Sequence, residues 1–263
     1  MPRDPVALRP TIDRLWLEHA AATDPVEHAF ALWDLDQYPD RIRFVSVGDS
    51  RATFGYLLVW LGHPAAPIVH WVGESPATRG LLEGLPPRPL VAIVPEAVRA
   101  SVERARTPAR SCPLLVLVAS PDAPTGDPAP GVRPLVAADR AELTRWAAGQ
   151  TDPVVAEYPV LDPEREAIWG CFDDGHLRGV VRAEVRLPSV WIVGGVYVDP
   201  SARGRGIALS LVRAALTAGR AAGASVALYV REDRAAARAV YERAGFRPHA
   251  RRVWVDAGAH LEP

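Results

Sequence analysis

The 263-residue chain carries 30 basic and 31 acidic side chains, which gives a net charge of −1. Nonspecific nucleic-acid binding depends on a strong positive field, which this balance does not supply, so a nucleic-acid partner is not expected. Every basic residue is Arg, and the 49% hydrophobic content is that of an ordinary globular protein with material for one large or two small domains.

Signals for membranes, export or metals are not evident in the sequence. There is no run of about 18 apolar residues, and the N-terminal segment lacks the apolar stretch of a signal peptide. Cys112 and Cys171 lie far apart, without the spacing of metal ligands. We therefore expect a cytoplasmic protein with no membrane contact, disulfide or metal site.

The first half of the chain combines helices and strands. Helical spacing of apolar residues predicts helices over residues 11–22, 27–35 and 95–106. Runs rich in β-branched, Leu and aromatic residues predict strands at 43–47, 53–62, 67–73, 90–94 and 114–120. We assign residues 1–119 to an N-terminal α+β domain.

A segment rich in Pro and Gly divides the two halves. ASPDAPTGDPAPG, residues 119–131, contains four Pro and two Gly and almost no large apolar side chain. This composition is typical of a linker, which we place at residues 120–131. A second domain then covers residues 132–263.

The second half repeats the order of elements loosely. The stretch VRPLVAADRAELTRWAAG predicts a strand and then a helix with Asp139 as its N-cap and Glu142 three residues later. AIWGCFDD, GVVRAEVRL and WIVGGVYV predict three antiparallel strands, the first two joined by a turn at Asp174-Gly175. A helix, the strand SVALYV, a second helix and the strand RRVWV follow. We predict an α+β fold, with a mixed, mostly antiparallel sheet flanked by helices, in two similar halves.

The loop DPSARGRGIALS, residues 199–210, stands between an apolar strand and a predicted helix. Free N–H groups at a helix N-terminus, close approach over Gly204 and Gly206, and the charges of Arg203 and Arg205 suit a diphosphate. A Walker A loop is excluded because the chain has no Lys. A dinucleotide loop is disfavoured because Leu209 occupies the third small position and too few residues follow for a doubly wound sheet.

The spacing R-x-x-G-x-A, as Arg203, Gly206 and Ala208, follows V-x-P, as Val198 and Pro200. Together with LYVREDRAAARAVYERAGFRP, residues 228–248, it resembles the GCN5-related N-acetyltransferase (GNAT) superfamily over residues 131–257. The resemblance implies that acetyl-CoA is the cosubstrate. Its pyrophosphate is then held by the loop Arg203, Gly204, Arg205, Gly206, Ile207 and Ala208.

The resemblance also implies a place for the pantetheine arm. The strand before the loop separates from the next one, and the arm lies along the backbone of Val196, Tyr197 and Val198. The pair Gly194-Gly195 predicts a bulge or a close backbone approach in that strand. Arg234 stands where family members often carry an Asn that contacts the pantetheine arm. In this chain that contact is either replaced by one from Arg234 to a CoA phosphate or absent.

Two side chains are candidates for catalysis. By resemblance, Tyr241 is the acid that protonates the departing thiolate, a role that suits a phenol with an ordinary pKa near 10. Two-residue alternation places Arg182, Glu184 and Arg186 on one strand face, so Glu184 either draws a proton from the acceptor through water or forms an ion pair. Tyr197 and Asp199 are weaker candidates for the base.

We expect an N-acetyltransferase that moves the acetyl group to a primary amine of a small molecule or peptide by direct attack, as a monomer or homodimer. The alternatives are a non-catalytic CoA or acyl-CoA sensor and an NAD-binding protein. The first half has SPATRGLLEG where a CoA loop would fall, and it resembles the degenerate N-terminal half of glycine N-acyltransferase-like families. Residues 152–165 are expected to border the acceptor.

Overall fold

The computed structural model describes residues 7–48, 53–126, 128–150, 162–163 and 165–261. It divides into two compact units. Within the described residues, the first unit takes the chain up to Leu115 together with Ala250–Leu261, and the second takes Val116–His249. Across both units, no helix of the described residues has the length and apolar character needed to cross a membrane.

The first unit is built on a mixed sheet with helices on both faces. Its elements are β1 (Ala7–Arg9), α1 (Arg14–Thr23), α2 (Ala29–Gln37), β2 (Ile42–Gly48), β3 (Thr53–Trp60), β4 (Ile68–Val72), β5 (Leu90–Val94), α3 (Glu96–Ala105) and the start of β6 (Arg110–Ala119). Neighbouring strands from β1 to β4 are antiparallel, and β4 and β5 are parallel. Alternation along β3 gives each face its own core: Tyr56 and Leu58 pack with α1 and α2, whereas Leu57 and Val59 share a cluster with α3.

The second unit repeats this order. Its elements are β7 (Val132–Pro134), α4 (Arg140–Ala148), β8 (Ala167–Asp173), β9 (His176–Arg186), β10 (Val190–Val198), α5 (Ile207–Ala221), β11 (Ser225–Arg231), α6 (Ala235–Arg243) and the start of β12 (Phe246–Ala257). β7 to β10 are antiparallel neighbours, and β10 and β11 are parallel. The predicted mixed, mostly antiparallel sheet with flanking helices is therefore confirmed.

Turn and helix signals decide where these elements end. Asp174 and Gly175, with φ of 50° and 77°, form the predicted tight turn between β8 and β9. Helix α5 buries the stripe Leu209, Val212 and Leu216 and is followed by Gly223 at φ 79°.

The N-cap position predicted for Asp139 is confirmed, but its carboxylate does not cap the helix. Asp139 does occupy the N-cap position of α4, but its side chain makes no hydrogen bond into that helix. The carboxylate instead accepts from the N–H of Val136, 2.9 Å away, and forms an ion pair with Arg133. Glu142 accepts from the N–H of Leu177 at 3.1 Å. Both carboxylates therefore accept hydrogen bonds from N–H groups outside the helix. The sequence pattern of a helix cap does not predict these bonds.

The last strand has a partner that the sequence did not predict. We expected residues 132–263 to form one domain, but Val253–Ala257 of β12 pair antiparallel with β5 in the first unit. Val253 and Val255 belong to the same core cluster as Leu57 and Val98. Strand pairing between residues so far apart in the chain leaves no local signal.

The Pro-rich segment is packed rather than free. Its first residue, Ser120, donates its N–H to the carbonyl of Gly245 at 2.9 Å. Arg220 on α5 donates to the carbonyls of Ser120 and Ala123, and Ala123 is buried. These carbonyls find their donor on a distant helix, so composition alone misses the attachment.

Candidate functional site

The loop before α5 is shaped by two glycines in left-handed conformations. Gly204 has φ 78° and Gly206, the N-cap of α5, has φ 79°. A Cβ at either position would have no atom within 4 Å among the described residues, so the space beside the loop is open. Glycines are required here by the backbone, and they leave the loop accessible to a ligand.

The N-terminus of α5 has no side-chain cap. Gly206 has no side chain to accept from the first N–H groups of this 15-residue helix. These N–H groups and the positive end of the helix dipole favour an anion. The loop upstream is already capped, because Asp199 accepts from the N–H of Ser201 at 3.0 Å. The residues predicted to hold a pyrophosphate therefore fit such a group in their backbone.

The two arginines of the loop have partners within the protein. Arg203 donates from Nε to the carbonyl of Val198 at 3.1 Å, and its guanidinium lies 5.5 Å from the ring centroid of Tyr197. Arg205 forms an exposed ion pair with Asp173 at 2.9 Å. Because both guanidiniums are already engaged, the backbone of Gly204–Ala208 is the better-defined part of the site.

Strands β10 and β11 separate just before the loop. Their parallel register runs from Val190 with Ser225 to Val193 with Leu228 and ends there. β10 continues to Val198 and still pairs with β9 on its other side, where Tyr197 faces Val180. From Gly194 onward β10 is no longer in register with β11, which is where the resemblance placed the separation of the two strands.

A bulge marks the point of separation. Between Gly194, which pairs with Arg182, and Tyr197, which pairs with Val180, the register shifts by one residue. Gly195 has φ 59°, which a bulge can require and which suits glycine best. The predicted bulge is confirmed, and Gly194, Gly195 and Val196 are all partly accessible.

Tyr241 is buried on α6 near the separated strands. Its ring centroid lies 6.2 Å from that of Phe246. Burial raises the pKa of Tyr241 to about 12, and the charge of Glu184 adds to this increase. The two predicted catalytic residues, 57 positions apart in the sequence, are thus close enough to interact electrostatically.

Glu184 lies partly exposed on β9. One of its carboxylate oxygens is 3.4 Å from a guanidinium nitrogen of Arg182, so the ion pair considered from the sequence is present. The same carboxylate lies over Gly194 of the neighbouring strand, where a Cβ would be only 2.3 Å from Oε1. The sequence indicated the face of Glu184 but not this contact, which depends on the register of β9 and β10.

The remaining predicted site residues lie in the core, cap a turn or stand exposed at the start of a helix. Tyr197 packs against Trp146 and donates its hydroxyl to Gln150 at 3.2 Å, so its side chain belongs to the core. Asp199 caps the turn that follows it. Its carboxylate accepts hydrogen bonds from Ser201, and these hydrogen bonds lower the pKa of its carboxyl. Neither residue is placed as a base. Arg234 is the exposed N-cap residue of α6 and makes no capping hydrogen bond.

The segment expected to border the acceptor cannot be placed. Of residues 152–165, positions 152–161 and 164 lie outside the described residues. Among the described residues, no group of three or more His, Cys, Asp or Glu side chains is placed to hold a metal ion. The site as described therefore consists of the separated strands, the glycine loop, Glu184 and Tyr241.

In the first unit the corresponding position has a different structure. After β4 comes a 3-10 helix, Pro76–Gly84, instead of an α-helix. Its N-terminus is capped, since the Ser75 hydroxyl accepts from the N–H of Ala77 at 3.3 Å. This arrangement presents no uncapped helix to an anion.

Comparison with known proteins agrees with the resemblance noted from the sequence. Residues 136–246 match the model of the "Acetyltransferase (GNAT) family". A mycothiol acetyltransferase from Beutenbergia cavernae is 39% identical over 85 residues. That match spans 31% of this chain and 28% of the relative.

Solved structures resemble the chain over nearly its whole length. A GCN5-related N-acetyltransferase from Sphaerobacter thermophilus has a TM-score of 0.63 at 20% identity, over 97% of this chain and 98% of that one. A tandem GNAT protein from the clavulanic acid biosynthesis pathway has a TM-score of 0.59 at 17% identity, over 98% and 100%. At these identities the likeness concerns the fold, which is that of GNAT proteins.

Proposed function

Starting from a chain whose residues 136–246 belong to the GNAT acetyltransferase family, we propose that the protein is an acetyl-CoA-dependent N-acetyltransferase. Family and fold support acyl transfer in general. The finer proposal is that acetyl-CoA is the donor and that a primary amine of a small molecule or peptide is the acceptor. The relative's name, mycothiol acetyltransferase, supports acetyl as the group transferred.

One observation carries the proposal above the others. The register of β10 and β11 ends at Val193 and Leu228, and β10 then leads directly into an open glycine loop and an uncapped helix. Two strands that diverge leave room between them for an extended, amide-containing arm, and the helix N-terminus suits the diphosphate at its end. CoA combines these two groups.

The binding residues follow from this arrangement. The backbone of Val196, Tyr197 and Val198 offers the strand edge, and the loop from Arg203 to Ala208 offers N–H groups to phosphate oxygens. Arg234 is exposed near the start of α6, where a guanidinium can approach a phosphate. When bound, acetyl-CoA supplies the acetyl thioester.

Transfer to an amine forms a C–N bond and breaks a C–S bond, while the nitrogen loses a proton and the sulfur gains one. Tyr241, with its pKa near 12, remains protonated at neutral pH and can donate from its hydroxyl. A phenol of this pKa is a weaker acid than an ordinary Tyr, so hydrogen bonding to the developing thiolate is its main expected contribution, and water supplies the proton that the sulfur gains. Glu184 is the proposed acceptor of the amine proton, through water.

The first unit is proposed to be an acetyltransferase-like half without CoA. Support comes from its element order, which matches the second unit, and from its parallel β4–β5 pair. The capped 3-10 helix after β4 argues against a phosphate there. We propose that this unit shapes the acceptor specificity or supports the fold.

A non-catalytic CoA or acyl-CoA sensor is the competing function. The ion pair of Glu184 with Arg182 and the presence of Arg234 in place of Asn are the observations that favour it. Turnover of acetyl-CoA in the presence of an amine separates the two functions, since a sensor binds the thioester without consuming it.

The first experiment is a calorimetric titration of acetyl-CoA, CoA and NAD into the protein and two variants. Gly206→Ala and Gly206→Asp both place a side chain at φ 79°, a conformation that Asp tolerates better than Ala, but only the second adds a negative charge beside the loop. We expect the Asp variant to lose acetyl-CoA affinity at least tenfold relative to the Ala variant, about 1.4 kcal/mol. Equal affinities of the two variants, or binding of NAD in place of CoA, would contradict the proposal.

A further inference from the structure

We propose that Gly194 is a positioning residue: the absence of its side chain makes the space in which the carboxylate of Glu184 lies. This inference deepens the proposed function, since its kinetic consequences rest on Glu184 acting in acyl transfer. The packing relation between the two residues stands on the structure alone.

The contact is specific to one side chain. A Cβ on Gly194 would lie 2.3 Å from Oε1, 2.5 Å from Cδ and 2.9 Å from Oε2 of Glu184. These are its three nearest atoms, and all belong to that carboxylate. Separations below 3.0 Å are not tolerated, so a side chain at position 194 and the present position of Glu184 exclude one another.

The backbone does not itself require glycine at position 194. Gly194 is not among the glycines with positive φ, in contrast to Gly195 at 59°. An Ala at position 194 is therefore conformationally acceptable, and the atoms that it displaces are the far end of a flexible side chain. Glycine is thus required at the two adjacent positions for different reasons. Position 195 needs the positive φ of the bulge, whereas position 194 needs the absence of a side chain beside Glu184.

The space lies at the point where the site begins. Gly194 follows Val193, the last residue of β10 in register with β11. Across the sheet it pairs with Arg182, which also forms the ion pair with Glu184. After burial, the negative charge of this carboxylate is the second cause of the raised pKa of Tyr241. Position 194 therefore controls where the negative charge lies relative to the separated strands.

The packing relation is tested by urea unfolding of four proteins: wild type, Gly194→Ala, Glu184→Ala and the double variant. We expect Gly194→Ala to lower the unfolding midpoint in the presence of Glu184 and to leave it unchanged or raise it when position 184 is Ala. Gly149→Ala serves as the control, because its Cβ would meet no atom of the described residues closer than 3.4 Å. An equal effect of Gly194→Ala in both backgrounds would overturn the inference.

The positioning role is tested by acetyl-transfer kinetics on the same proteins and on Gly194→Ala/Glu184→Asp. We expect Gly194→Ala to lower kcat roughly 10- to 100-fold with little change in the KM for acetyl-CoA, because displacing a catalytic group by about 1 Å can cost 100-fold. The shorter Asp should recover part of the loss in the Gly194→Ala background. With Ala at position 184, the change at 194 should have no further effect.

The possible failures are distinguishable. If the unfolding cycle shows coupling but the wild type transfers no acetyl group to any amine tested, the proposed function fails while the packing relation holds. If the wild type is active and Gly194→Ala reduces kcat equally with Glu or Ala at position 184, the positioning role is wrong.

Discussion

At the scale of single residues, the proposed site centres on one buried phenol, Tyr241, and one nearby carboxylate, Glu184. Burial is the larger cause of the raised pKa of Tyr241, and the negative charge of Glu184 adds to it because a phenolate beside a carboxylate is disfavoured. The phenol is thus kept in the protonated form that a donor needs. Its environment favours hydrogen bonding over complete proton transfer.

Replacing Tyr241 by Phe removes the donor and keeps the ring. We expect kcat to fall roughly 100-fold, a usual cost of removing one hydrogen-bond donor to a developing negative charge, while the affinity for acetyl-CoA changes less than about threefold. Steady-state kinetics and calorimetry on the same preparation measure the two quantities. A loss confined to affinity would identify Tyr241 as a packing residue.

The pH dependence of Tyr241 has a definite sign. With a pKa near 12, its titration cannot produce a fall in kcat between pH 8 and 10. Glu184→Gln removes the negative charge and should lower the pKa of Tyr241. NMR titration of tyrosines labelled with ¹³C at the ring Cζ carbon follows this, with Tyr241→Phe identifying the resonance. An unchanged or higher pKa in the Gln variant would show that the two groups do not interact.

At the scale of secondary-structure elements, helix α2 carries a buried carboxyl group, that of Asp34. Asp34 is buried, with 8% of its surface exposed, and burial raises its pKa to about 7. The folded state therefore holds a proton that the unfolded state releases above pH 3.8, so this residue makes the free energy of unfolding fall as the pH rises from about 4 to 7.

Replacing Asp34 by Asn removes this dependence. We expect the variant to be about as stable as the wild type near pH 4 and more stable at pH 7.5, by roughly 3 kcal/mol as an order of magnitude. Urea unfolding at a series of pH values measures the difference. A constant difference across the series would mean that Asp34 does not titrate on folding.

The packed Pro-rich segment is held by another element, helix α5. Arg220 donates to the carbonyls of Ser120 and Ala123, and hydrogen bonds from a charged donor contribute about 1.5–3 kcal/mol each. Arg220→Ala should therefore increase hydrogen exchange over residues 120–126. Arg213→Ala, on the same helix but bonded to the carbonyl of Arg243, is the control and should leave that segment unaffected. Equal exchange in both variants would show that Arg220 does not hold the segment.

At the scale of the whole molecule, one order of elements occurs twice with one clear difference. Each unit has a parallel strand pair. In the second unit, the first strand of the pair, β10, is followed by a glycine loop and an uncapped α-helix. In the first unit a 3-10 helix capped by Ser75 takes this place. We expect one acetyl-CoA per chain.

Calorimetric stoichiometry tests this expectation. The wild type should bind acetyl-CoA with a ratio near one, and Gly206→Asp should remove this binding without revealing a second, weaker site. Two sites in the wild type, or residual binding in the variant at wild-type affinity, would show that the first unit also holds the cosubstrate.

The sequence alone determined the features that arise from neighbouring residues. The loop from Arg203 to Ala208, the tight turn at Asp174-Gly175 and the bulge at Gly194-Gly195 follow from local conformational preferences, and the order of elements follows from the spacing of apolar residues. The fold class could be predicted on this basis. Tyr241 was singled out by a motif of 21 contiguous residues.

Only the tertiary structure decided which distant residues meet. The pairing of Val253–Ala257 with β5, the attachment of residues 120–123 by Arg220, and the position of Glu184 over Gly194 each join segments with no local signal in common. Strand register and side-chain packing set these contacts. A one-residue shift between β9 and β10 would turn Glu184 to the opposite face, so the register selects the charge that Tyr241 meets.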